Sequence, residues 1–135
     1  MDMSLCVVDR KKEELEFAGA MNPLLVVRDS KAELIKGDRQ PIGGANRKNR
    51  KPFSKHTIPL DGKSNFYIYS DGYKDQFGGD DNMKLNAKTF RKRVTDLSVL
   101  PMEDQQKAHE KFLDDWIEAA ATDQMDDILV IGFRA

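Results

Sequence analysis

The sequence predicts an α+β fold, in which an antiparallel β-sheet carries two amphipathic helices on one face. Short apolar segments separated by turn residues fill the first half of the chain, up to Ser70. Two segments with apolar residues at helical spacing follow, and one apolar, β-branched segment closes the chain. Because the helices are adjacent in sequence and come after most of the strands, we expect them to pack together on one side of the sheet.

Successive hairpins account for the strand-rich half. Segments 5–8 and 14–18 flank a charged turn, and segments 24–28 and 32–35 flank Asp29-Ser30. This succession predicts a meandering antiparallel sheet.

A third hairpin is predicted between segments 56–60 and 65–70, which are joined through Asp61-Gly62, a frequent two-residue hairpin turn. Residues 66–69 are bulky in succession, so this strand should be central, with helices on one side and a second sheet on the other.

The helices are predicted at 87–100 and 102–121. Asn86 precedes the first and is a good N-cap residue, and Pro101 separates the two. The apolar residues of the second helix fall on a single stripe, which indicates a core-facing helix. The closing strand is predicted at 128–133.

Composition excludes several classes of protein. The 135 residues carry 22 basic and 23 acidic side chains, so no overall charge attracts nucleic acid or membranes. A single cysteine excludes an internal disulfide framework. No apolar run is long enough to span a bilayer, and we expect one cytoplasmic domain.

Two acidic segments follow or precede apolar strands. Asp71 comes directly after the strand that ends near residue 69, and Asp126 and Asp127 come just before the last strand. A carboxylate at such a position is costly if it is buried without a cation, and converging carboxylates suit Mg²⁺ or Mn²⁺. Spacing alone leaves a structural role open, in which Asp71 forms a turn with Gly72 and the other two flank a strand.

Five blocks, in order along the chain, resemble bacterial SpoIIE/RsbU-like serine/threonine phosphatases of the PP2C superfamily. Residues 69–79 read YSDGYKDQFGG and residues 124–128 read QMDDI, which are similar to two metal-site motifs of that family. The other blocks are DMSLC at 2–6, EFAGAMNPL at 16–24 and QPIG at 40–43. The resemblance covers essentially the whole chain and implies a partial PP2C-like β-sandwich.

The resemblance implies that Asp71 and Asp126 are ligands of Mn²⁺ or Mg²⁺, with two ions in a complete site. Gly72 would let the backbone pass close to the metals, and Asp127 would support its neighbour. The implied reaction is hydrolysis of phosphoserine or phosphothreonine by a metal-activated water, with no protein nucleophile.

The family also uses an acidic residue and an Asp-Gly pair that lie upstream of any residue in this chain. We therefore expect residues 1–135 to form a single partial domain, without the N-terminal portion, that binds metal weakly and has little or no phosphatase activity. Missing strands would leave an apolar sheet face or edge exposed, which favours homodimers.

The irregular, basic segment 36–55 is a weaker candidate for binding substrate. Arg47 and Lys48 could attract a phosphate group, although such a run is often only a solvated loop. Asn22 could lie near the site, although a structural turn explains it as well. The expected substrate is a phosphorylated regulatory protein, such as an anti-sigma-factor antagonist, and the full-length protein would carry an upstream sensor domain.

The alternative function is a non-catalytic module that binds a phosphoprotein or a partner domain. Nucleic-acid binding is disfavoured, because no aromatic residues interleave the basic ones between 47 and 51.

Overall fold

A computed structural model describes residues 1–43 and 51–135 of the chain. Within these residues the strands are β1 (Met3–Asp9), β2 (Glu14–Ala20), β3 (Leu24–Arg28), β4 (Lys31–Ile35), β5 (His56–Pro59), β6 (Asn65–Tyr69), β7 (Phe77–Gly78), β8 (Met83–Lys84) and β9 (Val130–Arg134). The helices are α1 (Gly72–Asp75), α2 (Ala87–Leu97) and α3 (Met102–Ala119).

The strands form two larger antiparallel sheets and one small pair. The first sheet has the order β1-β2-β5 and the second has the order β4-β3-β6-β9, while β7 pairs with β8. Apolar side chains of β2 meet those of β3 and β6 between the two sheets, as Phe17, Val26 and Phe66 illustrate. The fold is therefore a β-sandwich in its central layers.

The helices cover the other face of the second sheet. Leu25 and Tyr67 project from β3 and β6 into a second buried cluster, where they are joined by Phe90 and Val94 of α2. Residues of α3, including Trp116, pack against the same cluster. The predicted α+β class, with helices on one face of an antiparallel sheet, is confirmed. The central position of β6, between β3 and β9, is confirmed as well.

The predicted third hairpin is wrong. β5 pairs with β2 in the first sheet, whereas β6 pairs with β3 and β9 in the second. The Asp61 carboxylate accepts hydrogen bonds from the backbone amides of Lys63 and Ser64 at 2.9 and 2.7 Å, and it forms an ion pair with Arg28 at 2.8 Å. These bonds stabilise a turn that carries the chain from one sheet to the other. The two earlier hairpins are present, but they also lie in different sheets instead of one meander.

Several element boundaries differ from prediction. α2 ends at Leu97 instead of residue 100, because the Ser98 and Leu100 amides close tighter turns onto Thr95 and Leu97. α3 ends two residues early, and β9 begins at Val130 instead of residue 128. The predicted N-cap is confirmed, since Asn86 Oδ1 accepts from two amides of the first turn of α2 at 3.0 Å.

The outer face of the first sheet is apolar and exposed along β1. Met3, Leu5 and Val7 alternate with less exposed residues and are 37%, 50% and 49% exposed. These exposed apolar side chains agree with the exposed sheet face that the sequence predicts. Self-association through this face stays a prediction.

Of the helices in residues 1–43 and 51–135, none has the length and apolar character needed to cross a bilayer.

Candidate metal centre

The register of β6 and β9 brings the two acidic segments side by side. Their last strand pair is Tyr69 with Val130. Beyond it, the Ser70 amide donates to the Leu129 carbonyl at 2.9 Å, and the Leu129 amide donates to Ser70 Oγ at 3.0 Å. The Ser70 hydroxyl in turn donates to the Asp127 carbonyl at 2.9 Å. The chain around Asp71 therefore continues directly beside the chain around Asp126.

Gly72 allows the close approach of these two segments. It is buried at the start of α1, and a Cβ atom at this position would lie 2.4 Å from the Asp127 carbonyl oxygen. Real Cβ atoms do not come so near another atom, so any side chain here would push the two segments apart. The Asp127 main chain is thus fixed by Ser70 on one side and by Gly72 on the other.

Asp71 occupies the N-cap position of α1, but its carboxylate makes no capping hydrogen bond there. The helix is instead held by its backbone, since the Asp75 amide donates to the Asp71 carbonyl at 3.1 Å. The Asp126 carboxylate accepts from the Asp127 amide at 2.8 Å. The Asp71 carboxylate, in contrast, makes no hydrogen bond with the first turn of α1.

Asp71, Asp126 and Asp127 are all exposed. The cost of burying a charge, which suggested a bound cation, therefore does not apply to them, because water solvates each carboxylate. What the hydrogen bonds of Ser70 do show is that the two acidic segments lie side by side.

The irregular segment between α3 and β9 is also held by Gln76, which stands out in the sequence only as part of a motif. This side chain is 1% exposed. Its amide nitrogen donates to the carbonyls of Phe77 and Asp123 at 2.9 and 3.0 Å, and its oxygen accepts from the Met125 amide at 3.1 Å. The sequence signal for this role is only its place in the segment YSDGYKDQFGG at 69–79.

Asn22 lies at the same end of the second sheet as Ser70, as the pairing of Leu25 with Tyr67 requires. Its backbone carbonyl oxygen packs against Gly19 and Gly37. A Cβ atom would lie 2.2 Å from this oxygen if it were added to Gly19, and 2.4 Å from it if it were added to Gly37. Its backbone amide donates to the Ala20 carbonyl at 2.8 Å. These contacts are those of a structural turn.

The remaining predicted site residues, Arg47 and Lys48, lie outside the described residues. Among the described residues, Asp38 forms a bridge with Ala20 of β2, and its carboxylate accepts from the Ser54 amide at 2.6 Å.

Tyr73 anchors α1 in the core. It is 1% exposed and packs against Phe90, and its hydroxyl lies 2.8 Å from His109 Nδ1 of α3. Burial raises the pKa of Tyr73 to about 12. Burial, together with the charge of Arg93, lowers the pKa of His109 to about 4. Tyr73 and His109 are therefore both neutral near pH 7.

Lowering the pH should destabilise the chain through His109. Its pKa is about 4 in the folded chain and 6.5 for an unperturbed histidine, so the unfolded state binds more protons between these values. Stability is thus lost as the pH falls below about 6.5. We expect about 1 kcal/mol of this loss at pH 5 after allowing for partial exposure of the ring.

Urea unfolding at pH 7 and pH 5 checks this expectation. The wild type should lose more stability between these pH values than a His109→Gln variant, which keeps every other titratable group of the chain. An equal loss in both proteins would show that His109 titrates normally.

The donor chemistry of Asp71 and Asp126 fits a hard divalent cation, because carboxylate oxygens are the ligands that Mg²⁺ and Mn²⁺ prefer. Within residues 1–43 and 51–135, no three His, Cys, Asp or Glu side chains lie close enough together to hold a metal ion. A cation held by Asp71 and Asp126 would therefore need further ligands from water or from other groups.

Several solved structures have a fold similar to that of this chain. The chain is similar to the SiaA-PP2C domain of Pseudomonas aeruginosa, with 28% identity and a TM-score of 0.87, over 99% of this chain and 51% of that one. It shares the fold of the SpoIIE phosphatase domain from Bacillus subtilis, with 16% identity and a TM-score of 0.63, over 98% and 57% of the two chains. The same domain presoaked with Mn matches with 16% identity and a TM-score of 0.64, over 99% and 56%.

The chain thus spans about half the length of the solved structures it matches. A search of curated proteins finds no significant match. The family model for Stage II sporulation protein E matches residues 1–135, the whole chain. The chain therefore belongs to the SpoIIE family, whose fold is that of PP2C phosphatase domains.

Proposed function

We propose that this chain provides the Asp71 and Asp126 ligands of a metal-dependent protein phosphatase that hydrolyses phosphoserine or phosphothreonine. The observation that carries the proposal is the bridge by Ser70, which follows β6 and binds the main chain directly after Asp126, at the Asp127 carbonyl and the Leu129 amide. Membership of the SpoIIE family supports the reaction class.

Each residue of the site has a distinct role in this proposal. The carboxylates of Asp71 and Asp126 hold Mn²⁺ or Mg²⁺, which when bound supplies an activated water and neutralises charge on the phosphoryl group. Gly72 lets the two segments approach, and Asp127 holds its neighbour through its amide, which donates to Asp126 Oδ1. Because both carboxylates are exposed, a phosphoprotein surface has access to them.

The substrate we propose is a phosphorylated regulatory protein in bacterial stress or sigma-factor signalling. Because the described residues provide only part of a ligand set, we expect the isolated chain to bind Mn²⁺ weakly and to turn over little substrate. Other parts of a complete domain would supply the remaining ligands. Arg47, Lys48 and Asn22 stay candidates for contacts with the substrate.

A chimera tests the proposal. Residues 1–135 would replace the matching half of the SiaA-PP2C domain, and phosphate release from a phosphoserine peptide would be followed with Mn²⁺ present. We expect activity from the chimera and none from its Asp71→Asn form, with the unaltered SiaA-PP2C domain as the reference. A folded chimera that binds the peptide without releasing phosphate would favour the non-catalytic binding module instead.

A further inference from the structure

The position of Asp126 depends on a segment that has no regular secondary structure of its own. Between the end of α3 at Ala119 and the start of β9 at Val130, the chain makes neither helix nor strand. The Thr122 amide reaches back to the Ile117 carbonyl at 3.3 Å, but the residues nearer Asp126 lie beyond that turn. Within the segment, the Gln124 side chain donates to the Asp126 carbonyl at 2.8 Å, but this bond does not tie the segment to the rest of the fold. Side chains outside the segment provide that attachment.

Two side chains from the opposite acidic segment provide this placement. Ser70 binds the chain after Asp126, at the Asp127 carbonyl and the Leu129 amide. Gln76 binds the chain before Asp126, at the Asp123 carbonyl and the Met125 amide. Both side chains come from the stretch that contains Asp71, so Asp126 is held from both sides by groups that move with Asp71.

Gln76 differs from Ser70 because it is almost fully buried. At 1% exposure, water cannot replace its three hydrogen bonds, and each lost partner would leave a buried polar group unsatisfied. Its own backbone is also fixed, since the Gln76 carbonyl accepts from the Leu85 amide at 3.0 Å. This side chain is thus a rigid amide bridge between α1 and the segment before Asp126.

We propose that Gln76 is a positioning residue for the metal centre, which sets the place of Asp126 relative to Asp71 and thereby sets metal affinity. This inference rests on the proposed function. A carboxamide suits the role because one group offers both a donor and an acceptor to the two main-chain atoms. Glutamate at this position would lose the donor when ionised, and methionine would lose both functions while keeping the volume.

Gln105 offers a matched control. It is also buried, at 3% exposure, and its amide makes bonds of the same kind, with the Tyr67 hydroxyl at 2.7 Å and the Leu100 carbonyl at 2.9 Å. These partners belong to β6 and to the turn before α3. A Gln105→Met variant therefore carries a comparable loss of buried hydrogen bonds away from the acidic segments.

The test compares Gln76→Met with Gln105→Met in the full chain, using two measurements. Amide hydrogen exchange of the metal-free chain, corrected for global stability, should be about tenfold faster at residues 123–128 in Gln76→Met only. The Kd for Mn²⁺, from paramagnetic resonance of the free ion, should rise about tenfold in Gln76→Met only, as loss of a group that orients a ligand typically causes.

Equal exchange at residues 123–128 in the two variants, or equal Kd values, would overturn the positioning role. If the wild type binds no Mn²⁺ at all, the proposed metal function fails. Hydrogen exchange in the metal-free chain then still decides whether Gln76 places the segment.

Discussion

Replacing Gly78 with alanine is expected to lower the free energy of unfolding by about 3 kcal/mol. Gly78 is buried in β7, and a Cβ atom there would lie 2.2 Å from the Trp116 carbonyl oxygen and 2.3 Å from its Cδ1 atom. The oxygen belongs to the backbone of α3, so the clash cannot be relieved by a side-chain rotation alone. Chemical denaturation measures the loss.

Gly62→Ala is the matched control for that variant. Gly62 has a φ of +71°, but a Cβ atom added there would meet no other atom within 4 Å, so only backbone strain of about 1 kcal/mol is expected. A loss at Gly78 no larger than the loss at Gly62 would contradict the close packing of β7 against α3.

Replacing Gly72 with alanine is expected to weaken Mn²⁺ binding about 100-fold. The added Cβ would lie 2.4 Å from the Asp127 carbonyl oxygen and 2.9 Å from the carbonyl carbon, so the segment that carries Asp126 must move away from Asp71. Changes to the groups that orient a metal ligand typically reduce metal affinity about 10- to 100-fold. Mn²⁺-induced broadening of NMR resonances measures the change.

Gly132→Ala is the control for the metal effect. Its Cβ would meet the Tyr67 ring at 3.0 Å, which also crowds the fold, but on β9 beyond the acidic segment. We expect it to keep the Mn²⁺ affinity of the wild type. If Gly72→Ala also keeps that affinity, the two acidic segments need no close approach to bind metal.

The sequence predicted the fold class because alternation and helical spacing are local signals. Asn86 illustrates this well, since its N-cap bonds span only three residues. The partner of each strand is not a local property. Asp61-Gly62 is equally compatible with a hairpin and with the turn that Asp61 makes to Lys63 and Ser64, and only packing between the two sheets selects the latter. Helix α1 has four residues, too few to show helical periodicity.

The candidate site was predictable in part for a similar reason. A carboxylate next to an apolar strand marks Asp71 and Asp126 as candidates in the sequence. Whether the segments that contain these two residues lie side by side depends on the pairing of β6 with β9. This pairing joins residues that are about 60 positions apart in the chain. The bonds of Gln76 to Asp123 and Met125 are of the same long-range kind, so no spacing rule reveals them.

The convergence of Asp71 and Asp126 on one cation is tested most directly by calorimetric titration of the chain with Mn²⁺. Three proteins are compared: the wild type, the Asp71→Asn, Asp126→Asn double variant, and an Asp80→Asn, Asp81→Asn double variant. The Asp80, Asp81 variant removes two negative charges, as the Asp71, Asp126 variant does, but from exposed residues of the β7–β8 turn. We predict weak, saturable binding by the wild type and by the Asp80, Asp81 variant, with none by the Asp71, Asp126 variant. Equal binding by all three proteins, or no binding by the wild type, would contradict a metal centre at these two residues.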